Sequence, residues 1–171
     1  MPDTELHGVE VAHGFVQPEW IDINDHMNVA YYVLVFDQGI DALWDRFGIT
    51  SDYVGDYNNS TFAVESHITW QREIAEAEPY IVTSQILAYD QKRIHHFLRL
   101  YHADAGYLSA TAEWMSLHID LDVRRVVPWP DDILQRIAVF VEEQGEQPWP
   151  EEVARVMRIE HPIFDGATAS Q

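Results

Sequence analysis

Residues 20–32 read Trp20-Ile21-Asp22-Ile23-Asn24-Asp25-His26-Met27-Asn28-Val29-Ala30-Tyr31-Tyr32, and their reading decides the fold. A polar, turn-forming loop runs directly into a periodic apolar stretch at Val29, Tyr32, Val33, Phe36, Ile40, Leu43 and Phe47. That spacing is helical and predicts a long helix over 28–47. Asn28 suits the N-cap and Gly48 the far end. The loop therefore delivers Asp22 and His26 to the positive end of a helix dipole, where free backbone N–H groups can receive a developing negative charge. Such an arrangement suits attack on a carbonyl. It is also an ordinary way for a helix to begin, so the segment alone leaves both readings open.

Working outward, residues 13–17 fit a short strand ended by Pro18, and the polar stretch 49–60 reads as a surface loop. Residues 61–73 are rich in β-branched and aromatic side chains and fit a strand. Further strands are expected over 79–89, 93–102 and 107–120, separated by the turns at Asp90-Gln91-Lys92 and Asp104-Ala105-Gly106. Turns this short join antiparallel neighbours, because parallel ones need long crossovers. Pro128-Trp129-Pro130 breaks the chain before a helix that starts at Asp131-Asp132 and carries Ile133, Ile137, Phe140 and Val141 on one side. Beyond Gly145 a short helix is expected over 151–157, with a loose end after it. The pattern describes an α+β domain over 1–144 with a partly helical C-terminal extension over 145–171. One apolar helix packs on one face of an antiparallel sheet. The other face needs cover from a partner or from the C-terminal helix.

Composition narrows the partners. The chain has 171 residues, enough for one well-packed domain, and it is 47% hydrophobic. It has no cysteine, which excludes disulfides, thiolate metal sites and a thiol nucleophile. No window approaches a membrane span and the N-terminus lacks the regions of a signal peptide, so a cytoplasmic location is expected. A formal charge of −19 argues against nucleic acid and anionic membranes as partners. The surplus of acid fits solubility, a salty habitat or a cationic substrate. Lys92 is the only lysine among ten basic residues, so an anionic ligand would meet arginine.

Loop, helix and strand order together resemble the hotdog-fold acyl-CoA thioesterases of the 4-hydroxybenzoyl-CoA thioesterase type. That family's loop commonly reads Asp-x-x-Gly-His-x-Asn ahead of an aromatic-rich helix. Here it reads Asp22-Ile-Asn-Asp25-His26-Met-Asn28, followed by Tyr31 and Tyr32. A second family-like stretch is Trp70-Gln71-Arg72. The resemblance covers about residues 11–140. It implies a hotdog fold, with an antiparallel sheet of about five strands wrapped around one long central helix, plus a C-terminal helix. Asp25 stands where the family has glycine, and aspartate tolerates φ > 0 better than most residues. More narrowly, Asp22–Tyr32 with Met115-Ser116-Leu117-His118-Ile119-Asp120 is similar to thioesterases of carnitine breakdown that hydrolyse betainyl-CoA.

The resemblance implies that Asp22 is the catalytic carboxylate, as general base on water or as nucleophile through a mixed anhydride. The Val29 N–H would polarise the thioester carbonyl. His26 would bond the carbonyl or water, or steady the loop through Asp25. Asn28 would cap the helix and help shape the site. Tyr31 and Trp70 are expected at the substrate, and Arg93 and Arg99 at the CoA phosphates, with Arg124 and Arg125 as further candidates. Trp20, Phe62, Trp70 and Trp114 are candidates for an aromatic cage around a quaternary ammonium, or for core and interface packing. Glu65 could face the site or lie exposed on its strand. His95, His96, His102 and His118 form no recognisable metal-ligand spacing, and no metal or separate cofactor is expected, CoA being part of the substrate. A homodimer or a dimer of dimers is implied, with the site between two chains. The rival readings are a hotdog enoyl-CoA hydratase and a non-catalytic acyl-thioester binder.

Overall fold

The computed structural model describes residues 6–157. They run in the order β1 (Val9–Phe15), α1 (Val29–Phe47), α2 (Ser51–Tyr57), β2 (Asn59–Trp70), β3 (Pro79–Tyr89), β4 (Arg93–His102), β5 (Leu108–Asp120), β6 (Arg125–Val126) and α3 (Asp131–Gln144). The strands form one antiparallel sheet in the order β1-β3-β4-β5-β2, with the short β6 on β5. This is the expected hotdog architecture. No helix among the described residues is long and apolar enough to cross a membrane.

The central helix forms where its periodicity places it. Asn28 caps it through a hydrogen bond from the Ala30 N–H, and Gly48 ends it in the left-handed conformation at φ 81°. Its buried stripe of Tyr32, Val35, Phe36, Ile40, Leu43 and Phe47 meets Val82, Ile94, Leu98, Leu100, Ala110 and Ala112 of the sheet. Gly39 is the point of closest approach, since a Cβ there would lie 3.0 Å from Val82 Cγ1. Phe36 is wholly buried; truncating such a side chain to alanine costs about 3–5 kcal/mol.

Several expectations change. The stretch 49–60 is not all loop. Thr50 Oγ1 accepts the Tyr53 N–H at 3.3 Å and starts α2, whose Tyr53 is buried against His118. Burial of one tyrosine outweighs the local polarity that read as loop. The first strand starts earlier, at Val9, because it pairs with β3 as far as Val9–Ser84. The next strand ends at Trp70, where the Gln71 and Arg72 N–H groups both turn to Ser109 O. The chain also turns after β5, with Asp120 Oδ1 accepting the Asp122 and Val123 N–H groups, and returns as β6.

The outer face of the sheet is covered by the stretch after α3, while α3 itself packs on the end of α1 through Phe47 and Phe140. The Gln144 amide bonds both the N–H and the C=O of Ile86, at 2.8 and 2.9 Å, in the manner of a strand neighbour. Gln147 accepts the Gly8 N–H, Gln85 donates to Pro148 O, and the Ala154 N–H reaches Glu113 at 2.8 Å. Residues 151–154 form a turn instead of opening the short helix expected over 151–157. The end expected to be loose lies beyond residue 157, outside the described residues.

Candidate active site

Hydrogen bonds close the loop ahead of α1 on itself. The Asp22 N–H donates to His26 O and the Asp25 N–H to Asp22 O, each at 3.1 Å. Asp25 takes the left-handed conformation, φ 62°, that a glycine would adopt at less cost. Two longer bonds fix the loop to the domain. The Met27 N–H donates to Ile74 O at 3.0 Å, and the Asn28 N–H donates to Trp20 O at 2.9 Å. Ile74 is completely buried, so the loop is pinned to a rigid point.

Within this frame the Asp22 carboxylate has two partners. Oδ1 accepts the Asn24 N–H at 2.8 Å and Oδ2 accepts the Asn28 side-chain amide at 3.2 Å. The Asn24 N–H holds its pKa below the usual carboxylate value against the cost of desolvation, helped by the Asn28 amide and the nearby His26 ring. Asn28 Oδ1 meanwhile accepts the Ala30 N–H at 3.0 Å. Asn28 is thus both the helix cap and a tether for Asp22. In the first turn the Tyr31 N–H is used by Asn28 O, whereas the Val29 N–H has no acceptor among the described residues. Val29 is 56% exposed. An anion-ready donor and an ionised carboxylate therefore flank the same helix start.

A cavity of about 220 Å³ opens there, lined by His26, Val29, Tyr32, Trp70, Arg72 and Glu73 among others. His26 turns Nε2 to Glu73, 3.7 Å from Oε2, and not to Asp25. Tyr32 meets Trp70 edge-on, ring centres 6.5 Å apart. Tyr31 instead stacks on Trp20 at 5.5 Å, so of the two adjacent tyrosines it is Tyr32 that reaches the cavity. Asp22 is not part of that lining; it is linked to it by the bond from its N–H to His26 O and, through the Asn28 side chain, to the residue that precedes Val29.

Other candidate side chains lie elsewhere. Arg93 pairs with Asp90 in the β3–β4 turn, Nε to Oδ2 2.7 Å. Arg99 is buried on the outer face, donating to Gln85 at 2.8 Å beneath the segment around Pro148, and burial lowers its pKa. Arg124 lies over Phe62, and Arg125 is in β6. Trp20 is packed between Tyr31 and Tyr80, and Trp114 is buried on the inner face. Of the four candidate cage residues only Trp70 opens on the cavity. Glu65 lies on the outer face near His67 and His95. His95 and His96 point to opposite faces, as adjacent strand residues must, with His95 on Glu113 and His96 facing Ser116. His118 donates from Nδ1 to Pro128 O and receives the Tyr53 hydroxyl at Nε2. His102 sits near Glu78. Among the described residues no group of three such side chains could hold a metal ion.

Sequence reasoning missed Glu73 and Tyr32. Glu73 directly follows the Trp70-Gln71-Arg72 stretch, and Tyr32 directly follows Tyr31. Adjacency to those quoted residues was the available signal.

Comparison with known proteins bears on this geometry. The sequence pattern of the thioesterase-like superfamily matches residues 16–137. The betainyl-CoA thioesterase of Pseudomonas aeruginosa is 36% identical over 142 residues, covering 83% of this chain and 89% of that protein. The L-carnitine dehydrogenase/betainyl-CoA thioesterase of a Rhizobium species is 34% identical over 157 residues, 90% of this chain but 31% of that longer protein. A Staphylococcus aureus protein solved in complex with CoA superposes with a TM-score of 0.84 at 28% identity, covering 90% of this chain and 98% of that one.

Proposed function

The chain belongs to the thioesterase-like superfamily, and on that premise we propose that it hydrolyses acyl-CoA thioesters through Asp22, with betainyl-CoA as the substrate. One observation carries the reading. Asn28 links the Asp22 carboxylate to the helix start, whose Val29 N–H has no acceptor among the described residues. A thioester carbonyl lodged against that N–H presents its carbon to the carboxylate, and the dipole of α1 favours the oxyanion that forms.

The lowered pKa keeps Asp22 ionised, the form that direct attack and general-base catalysis both need, and direct attack is the route followed here. In this route an Asp22 oxygen adds to the carbonyl carbon, the C–S bond breaks and CoA leaves as thiolate. The resulting mixed anhydride is then opened by water, which restores Asp22 and releases the free acid.

The protein acts as a homodimer in this proposal. The long β2 has β5 on one side and, among the described residues, no neighbour on the other, and it exposes Phe62, Val64 and Trp70. An unpaired apolar edge of that length invites pairing with a second copy. Since Trp70 ends β2 and also lines the cavity, such pairing would bring the second chain to the site.

The decisive assay is thiol release over betainyl-, acetyl-, aromatic and long-chain CoA esters, with crotonyl-CoA included. Free thiol from betainyl-CoA is the expected result. Loss of the crotonyl enone without thiol would make the protein a hydratase, and tight ester binding without turnover would make it a binding protein.

A further inference from the structure

The cavity beside the start of α1 has a chemistry that the reaction itself does not require. Trp70 is 49% exposed and shares the lining with Tyr32. Glu73 sits at the rim with its side chain 71% exposed, and His26 Nε2 lies 3.7 Å from its Oε2. Arg72, the arginine of this lining, is engaged by the Tyr107 ring, with its guanidinium 3.7 Å from the ring centre. An indole, a phenol ring and a carboxylate around a small space complement a cation. They suit neither the neutral pantetheine arm nor the CoA phosphates, which would meet Glu73 as like charges.

We propose that this cavity is the subsite for a positively charged acyl group, with Trp70 and Tyr32 supplying aromatic surface and Glu73 the counter-charge. The assignment rests on the thioesterase reading and adds to it the residues that select the acyl group. Aromatic faces attract quaternary ammonium groups through the ring quadrupole. The rim carboxylate of Glu73 adds attraction, screened by solvent in proportion to its exposure. Size agrees: ligand pockets commonly span about 300–1,000 Å³, and this cavity of about 220 Å³ fits a compact acyl group. The bond from Met27 N–H to Ile74 O ties the 71–74 loop to the loop that carries Asp22, so the cation would be held at a set distance from the reacting carbon.

The test uses two esters of nearly equal shape, betainyl-CoA and 3,3-dimethylbutanoyl-CoA, in which carbon replaces the charged nitrogen. The whole protein should favour the cationic ester by about tenfold or more in kcat/KM. Glu73→Gln and Trp70→Leu should each reduce that preference several-fold, the first with no change in oligomeric state because Glu73 is exposed. Equal rates on both esters, or a Glu73→Gln variant that slows both equally, would overturn the inference. If neither ester is cleaved, the thioesterase reading fails by itself. Calorimetric binding of the non-hydrolysable ketone analogues then decides the subsite: tighter binding of the cationic analogue, lost in Glu73→Gln, supports it, and equal binding overturns it.

Discussion

Asn28 bonds Asp22 with the nitrogen of its side-chain amide, at 3.2 Å, and the first turn of α1 with the oxygen, at 3.0 Å. Only an amide can do both. Asn28→Asp keeps a good cap but sets one carboxylate against another. It should leave thermal stability close to wild type while moving the acid limb of the pH–rate profile upward, since Asp22 loses a donor and gains a like charge. Asn28→Ala loses the cap as well, at about 1 kcal/mol. That corresponds to about 2–4 °C in Tm for a domain of this size. Calorimetry and a pH series of kcat/KM separate the two effects.

Asp22→Asn preserves an acceptor for the Asn24 N–H, so the loop should keep its shape. Turnover should fall by about 10²–10⁴-fold with an unchanged circular dichroism spectrum. Single turnover in ¹⁸O-water checks the route. Label in Asp22 marks an anhydride opened at the Asp22 carbonyl, and label in the released acid alone marks attack of water at the substrate's own carbonyl carbon.

Asp25 adopts φ 62°, a conformation glycine reaches without a Cβ penalty. Asp25→Gly should therefore match or slightly exceed wild-type stability. Asp25→Val, β-branched and forced to the same φ, should lose about 1–2 kcal/mol. Denaturant midpoints give the comparison.

Burial inside the domain pushes the His96 pKa down to about 3 from 6.5, with the charge of His95 adding to the effect. His118 is shifted the same way by burial, against its bonds to Pro128 and Val127. An unfolded chain takes up the His96 proton near pH 6.5, whereas the folded one resists until about pH 3. Stability therefore rises with pH across that window and is lost as pH falls through it. His96→Leu should flatten the dependence of Tm on pH between these limits, as scanning calorimetry would show.

Val64 sits at the bulge between Ala63 and Glu65 on the free edge of β2 and is 55% exposed. Val64→Lys should leave the chain folded and shift it to monomer, read by sedimentation velocity, with thioesterase activity falling in parallel. A monodisperse, fully active monomer would remove the second chain from the site.

Much of this molecule is legible in its sequence because each signal is local. The α1 periodicity, the Asn28 cap and the Gly48 stop are read within a few residues, and the hairpin turns at Asp90 and Asp104 set β3, β4 and β5 to within a residue. The elements that escape depend on distant contacts. α2 exists because Tyr53 reaches His118, 65 positions away. The cover on the outer face depends on Gln144 meeting Ile86, 58 positions away. At the candidate site, the loop motif singles out Asp22, Asn28 and Val29, which lie close together along the chain. Glu73 could not be paired with His26 before the bond from Met27 to Ile74 was known, because no periodicity links those positions.

That bond also has an evolutionary consequence. In the proposed mechanism, substrate choice and bond-breaking fall on two segments that share one anchor, so a change in either is passed to the other. The anchor is the backbone of Ile74, a buried residue outside the cavity lining, and libraries aimed at altered selectivity should vary that position together with the rim.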